Sequence, residues 1–89
     1  RKAAYLVNLE VAPIDAVLIA IADKIDNIES KIEAFEKEGE TLLKRWKQPA
    51  EAYLWYHGEA LRIAQKRMPE HRLTMRLAEV HAKERKTFL

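Results

Sequence analysis

The sequence predicts an all-α protein, a helical bundle, on three observations. Glycine occurs only twice and proline three times among 89 residues, so few positions interrupt a helix. No stretch alternates apolar and polar residues long enough to make a half-buried strand. Each proline stands before a run of helical periodicity, where a missing N–H breaks no hydrogen bond.

Taken in order, residues 1 to 10 (RKAAYLVNLE) make a short helix that closes in the turn before Pro13. Pro13 suits the first turn of a second helix, expected from Ile14 to Glu38 with Gly39 as its stop. Residues 40 to 48 (ETLLKRWKQ) form a connection with room for one helical turn. Pro49 opens a third helix through about Arg67, and Pro69 opens a fourth to about Lys86. There is no internal repeat, and the 89 residues bound a single domain or part of one.

In the long helix, Ile14, Leu18, Ile21, Ile25, Ile28, Ile32 and Phe35 alternate by four and three, which is one continuous apolar stripe. Ala16, Ala20, Asp23, Asn27, Ser30 and Ala34 make a second stripe, roughly opposite. Ile19 and Ala22 fill the flanks, so residues 16 to 22 are apolar all round and are expected to be buried on every side. Asp23 then stands at the edge of that buried segment.

Composition excludes several classes. Apolar residues make up 48% and charged residues 34% of the chain, a globular rather than a disordered balance. Cysteine is absent, which rules out disulfides and thiolate metal sites within the chain and fits a reducing compartment. The net charge of +2 comes from scattered residues and does not suggest nucleic-acid binding. The longest apolar run is seven residues, too short for a membrane span. No secretory signal is apparent, and a cytoplasmic location is expected.

A carboxylate beside a buried segment needs a partner, because burying a charge unpaired is costly. Asp23 has two readings. It can lie just outside the core, paired with Lys24, Lys31 or a lysine of another helix. Alternatively it is a metal ligand, with Asn27 and Ser30 one and two turns further along the same face, where a ligand could lie along the helix.

ADKIDN, residues 22 to 27, resembles the Ala-Asp-Lys/Arg-x-x-Asn signature of HD-domain phosphohydrolases. The likeness is greatest to the RelA/SpoT-type hydrolases and the small alarmone hydrolases, which remove pyrophosphate from guanosine tetraphosphate. The preceding apolar run VLIAI, the aromatic-rich AYLWYHGEALRIAQKRM and the final PEHRLTMRLAEVHAKERK extend the resemblance over the whole chain. It implies that Asp23 is the family's last metal-binding aspartate. The metal is usually manganese, held by two histidines and two aspartates. It also implies that Asn27 contacts the bound nucleotide, that Ser30 lies near the nucleoside, and that Tyr53 lines the pocket, although core packing is an alternative role for Tyr53. Ala20 departs from the pattern, since many members carry a lysine there.

The family's upstream histidine and its adjacent His-Asp pair have no counterpart here. His57, His71 and His81 all follow Asp23. None stands at metal-ligand spacing from another ligand; His57 reads as a helix-face residue, His71 and His81 as solvated. A lone carboxylate does not hold a catalytic divalent ion. The resemblance therefore implies that residues 1–89 are the C-terminal portion of an HD domain. The activity and its manganese would belong to an intact protein, and this chain alone is expected to be inactive.

Trp46, Tyr53, Trp55 and Tyr56 could stack a base, but aromatics at helical spacing more commonly pack in a core or interface. The alternative function is a non-catalytic helical interaction module, since a four-three stripe also describes a coiled-coil seam. The apolar back of the long helix argues against a simple coiled coil. It also predicts a homo-oligomer, in which Ala16, Ile19 and Ala20 pack against a second copy.

Overall fold

Twenty-five residues free of glycine and proline form α2 (Ile14–Glu38), the longest helix. Its apolar stripe at Ile21, Ile25, Ile28 and Ile32 is buried along with Val17. The stop is Gly39, with φ of 65°, whose N–H donates to the Phe35 carbonyl at 2.7 Å. That backbone conformation is open to glycine at no steric penalty.

The computed structural model describes residues 2–89. Besides α2 it contains α1 (Lys2–Val11), α3 (Glu40–Leu43), α4 (Ala50–Arg67) and α5 (Arg72–Phe88), and no strand among the described residues. The all-α bundle that the sequence predicts is the observed architecture. α2 packs chiefly on α5, α5 on α4, and α1 lies against α4. Ile63, Ala60 and Ala64 of α4 and Leu77 and Val80 of α5 close over the isoleucine stripe in one apolar cluster. Among the described residues no helix is long and apolar enough to cross a membrane.

One arginine fastens α1 to the bundle. Arg67, in the last turn of α4, donates from Nη1 to the carbonyls of Leu9 and Glu10 at 3.2 and 3.0 Å, and from Nη2 to Ala12 at 2.7 Å. The last carbonyls of a helix have no partner within it, and a cation there also complements the helix dipole. Arg62 adds an ion pair to Glu10 at 2.7 Å. With its C-terminal end held this way, α1 carries Lys2 and Tyr5 back along α4.

Two expectations are corrected. The final helix begins at Arg72, three residues after Pro69. Pro69 lies in a turn, and His71 caps the helix instead, its Nδ1 accepting the Leu73 N–H at 3.0 Å. Thr74 completes the turn by donating its hydroxyl to the Met68 carbonyl at 2.7 Å. The segment 16 to 22 is not buried on every side. Val17, Ala20 and Ile21 are buried, while Ala16 and Ala22 are exposed and Ile19 is 73% exposed. The reason is geometric: the surrounding helices cover the side of α2 that carries Val17, Ala20 and Ile21 and leave Ala16, Ile19 and Ala22 facing water. Ala20, expected on the outer surface, is covered within the chain.

Candidate functional site

The α2 face that carries Asn27 and Ser30 also carries Lys24 and Lys31, one turn before and after. Across from it, α4 presents Tyr53 and Tyr56, three residues apart and thus on one side of that helix. α1 supplies Lys2 and Tyr5 from its first turn. These residues build a ladder of alternating ammonium groups and rings. Lys31 Nζ lies 3.3 Å from the Tyr53 ring centroid. Lys2 Nζ is 4.3 Å from the same centroid and 5.1 Å from that of Tyr56. Lys24 Nζ stands 5.2 Å from Tyr56 and 4.8 Å from Tyr5. Trp46 extends the aromatic wall, edge-on to Tyr53 with centroids 5.2 Å apart.

A cavity of about 490 Å³ opens at this ladder. Its lining is Lys2, Lys24, Asn27, Ser30, Lys31, Tyr53, Tyr56 and His57. Neither Lys2 nor Lys31 pairs with a carboxylate among the described residues, and Lys24 approaches only Asp23, at 3.8 Å. Ring faces attract cations by about 0.5–2 kcal/mol per contact at this distance, but they do not neutralise them. The cavity is therefore electropositive, flat-walled and furnished with amide and hydroxyl groups. Its chemistry suits an anion, and one with a planar part could stack on tyrosine.

The surroundings of Lys31 shift its titration. Partial burial, which disfavours the charged form, lowers its pKa from the usual lysine value to about 8, and the nearby charge of Lys2 pushes the same way. Glu84 acts in the opposite sense, as does the Tyr53 ring face against which the ammonium rests.

Behind the cavity wall lies a buried polar cluster. His57 Nδ1 reaches both oxygens of Glu84 at 3.0 Å, and His81 Nδ1 reaches Glu84 Oε2 at 2.8 Å. All three residues are buried. Both imidazoles donate Nδ1–H to the one carboxylate, which fixes their tautomer and orientation. Gly58 makes room for this: a Cβ there would stand 3.3 Å from His81 Nε2. The arrangement corrects the reading of two histidines. His57 is a buried residue bordering the cavity rather than a plain helix-face residue, and His81 is not solvated. His71 is exposed, at its cap.

Of the residues singled out in the sequence, Asn27, Ser30 and Tyr53 meet at the cavity. Tyr53 is half-buried, and so belongs to the cavity wall more than to the core. Asp23 is one turn away. Its side chain is 62% exposed, lies 3.8 Å from Lys24 Nζ, and accepts a hydrogen bond from Asn27 Nδ2 at 3.3 Å. The ion-pair reading of Asp23 thus has a partner in Lys24. As for a metal, no group of three or more His, Asp or Glu that could hold an ion occurs among the described residues. Asp23 could donate one carboxylate to such an ion, and the residues present do not make a metal site by themselves.

Sequence reasoning overlooked Lys2, Lys24, Lys31 and Tyr56 as members of one site. A signal was available for two of them: Lys24, Asn27 and Lys31 follow a three-four spacing, which places them on one helix face. The Glu84 cluster gave none, because His57 and Glu84 are 27 residues apart on different helices. No family model matches the chain, and no curated protein matches it significantly.

Proposed function

We propose that this chain is the nucleotide-binding, C-terminal portion of an HD-type metal-dependent phosphohydrolase acting on a guanosine tetraphosphate-like alarmone. The observation that carries the reading is the convergence of Asn27, Ser30 and Tyr53 on one cavity that also holds three lysine ammonium groups. A polyphosphorylated purine asks for cations around its phosphates and a flat apolar face for its base, and the lysine–tyrosine ladder offers both. Asp23, exposed one turn before Asn27, would be the chain's single contribution to a manganese site. The remaining ligands and the acid–base groups would come from other parts of an intact protein. No reaction step is assigned to the residues present here.

Calorimetric titration of the chain with guanosine tetraphosphate tests the reading. Binding should weaken with Asn27→Ala and with added salt, as an electrostatic site requires. Absence of binding at millimolar nucleotide would remove its main support. The chain alone should release no pyrophosphate at enzymatic rates, whereas Asp23→Ala should abolish manganese-dependent hydrolysis in an intact protein.

A second reading, a helical interaction module that forms a homo-oligomer, rests on a different observation. Val11 is 82% exposed and Ile19 73%, with Val7 and Ile14 also exposed on α1 and the start of α2. Apolar side chains left in water favour association. A sedimentation experiment giving a monomer at micromolar concentration would count against it.

A further inference from the structure

The lysine–tyrosine ladder has a chemical consequence that needs no nucleotide. Its three ammonium groups converge on the Tyr53 and Tyr56 rings, and among the described residues neither Lys2 nor Lys31 has a carboxylate within ion-pair distance, Glu84 acting on Lys31 only from farther off. Such a cluster attracts a compact anion, since nearby like charges are relieved by binding one. The amine of Lys31 lines the same cavity.

We propose that the cavity binds small phosphoryl anions between Lys2, Lys24 and Lys31, and that an acyl phosphate held there transfers its acyl group to Lys31 Nζ. The cavity would thus make Lys31 a site of covalent modification. In the transfer, the lone pair of the neutral amine forms a C–N bond to the acyl carbon. The bond from that carbon to the phosphate oxygen breaks, inorganic phosphate leaves with the electron pair, and the amine's proton passes to water. No oxidant, metal or further reactant is required. The product amide is uncharged, so acylation takes one of three cations from the cavity and weakens it for any anion.

Two features favour Lys31 over the other lysines of the chain. The cavity, at about 490 Å³, has room for a small acyl phosphate beside the ladder, and Lys2 and Lys24 can hold its phosphoryl group while Lys31 attacks. Lys31 also reaches its neutral, nucleophilic form near pH 8. The groups that face it are Lys2 from α1, Tyr53 from α4, Trp46 from the connection and Glu84 from α5. An ordinary lysine has a pKa of about 10.4 and is almost wholly protonated at that pH.

The test is to incubate the 89-residue chain with acetyl phosphate at pH 8 and follow all nine lysines by peptide mass spectrometry. Lys31 should be acetylated several-fold faster than the exposed Lys44, Lys47, Lys66 and Lys86. Millimolar inorganic phosphate should slow Lys31 and leave those four unchanged, and Lys2→Gln should slow Lys31 as well. With phenyl acetate, an uncharged donor, phosphate should have no effect on Lys31. A Lys31 rate no greater than that of the exposed lysines would overturn the proposal. So would a lead for Lys31 that phosphate does not diminish, because the anion site would then play no part.

Discussion

Asp23 on α2 and Glu84 on α5 are both carboxylates hydrogen-bonded to a nearby side-chain nitrogen, yet they differ in almost everything else. Asp23 is 62% exposed at the side chain, with one long contact to Asn27 and one to Lys24. Glu84 is 1% exposed and holds two imidazoles in the interior. Solvent screens the first, and burial shields the second from it. The exposed carboxylate is therefore energetically light, whereas the buried one organises the packing of α4 against α5.

The largest effect should come from breaking the interior cluster. Glu84→Ala leaves two buried imidazole donors without an acceptor, and each buried donor left unsatisfied costs about 1–3 kcal/mol. Urea unfolding should show a loss on that scale, a large share of a small domain's stability. Glu84→Gln, which keeps an acceptor oxygen, should lose less. A loss below about 1 kcal/mol for the alanine variant would mean that the cluster is not structural.

Next in size is Arg67→Ala. Three carbonyls at the end of α1 lose a charged donor, and hydrogen bonds to charged groups contribute about 1.5–3 kcal/mol. Because α1 brings Lys2 and Tyr5 to the cavity, hydrogen exchange in residues 2–11 should accelerate more than in α5. Uniform acceleration would show instead that Arg67 stabilises the whole bundle and not α1 in particular.

Lys31 gives a smaller, pH-dependent effect. Its folded-state pKa of about 8 lies below the unfolded lysine value of about 10.4. Between these values the unfolded chain holds the proton and the folded chain does not, so stability rises with pH in that window. Below pH 8 the folded protein carries the full penalty of a half-buried ammonium. Compared with Lys31→Met, the parent should gain relative stability from pH 8 to about 10. Parallel melting curves across that range would contradict the assignment.

Asp23→Ala should have the smallest effect on folding, within about 0.5 kcal/mol, as for most exposed positions. Thermal denaturation can verify this. A loss as large as that of Glu84→Ala would erase the contrast between the two carboxylates and favour a structural role for Asp23.

Much of the fold was legible because it is local. The four-three stripe of α2, the positions of Pro13 and Pro49, and the need for glycine at residue 39 all act within a few residues of chain. The start of α5 escaped notice because His71 outcompeted Pro69 as the boundary, using a side-chain cap that composition does not reveal. The exposure of Ile19 escaped too. Apolarity around a helix states what it would gain by burial, not whether a neighbour exists to bury it.

The candidate site divides along the same line. By itself the sequence determined that Asp23, Asn27 and Ser30 share a face of one helix, since helical pitch alone sets that spacing. Only the tertiary structure brought Tyr53 and Lys2 to that face. It alone made the ladder electropositive, by leaving Lys2 and Lys31 with no carboxylate at ion-pair distance among the described residues, and moved the pKa of Lys31 by partial burial. It also gathered His57, His81 and Glu84 from two helices into one buried network. Charge, burial and pKa depend on everything within several ångströms of a group, and for these residues most of those neighbours are distant in sequence.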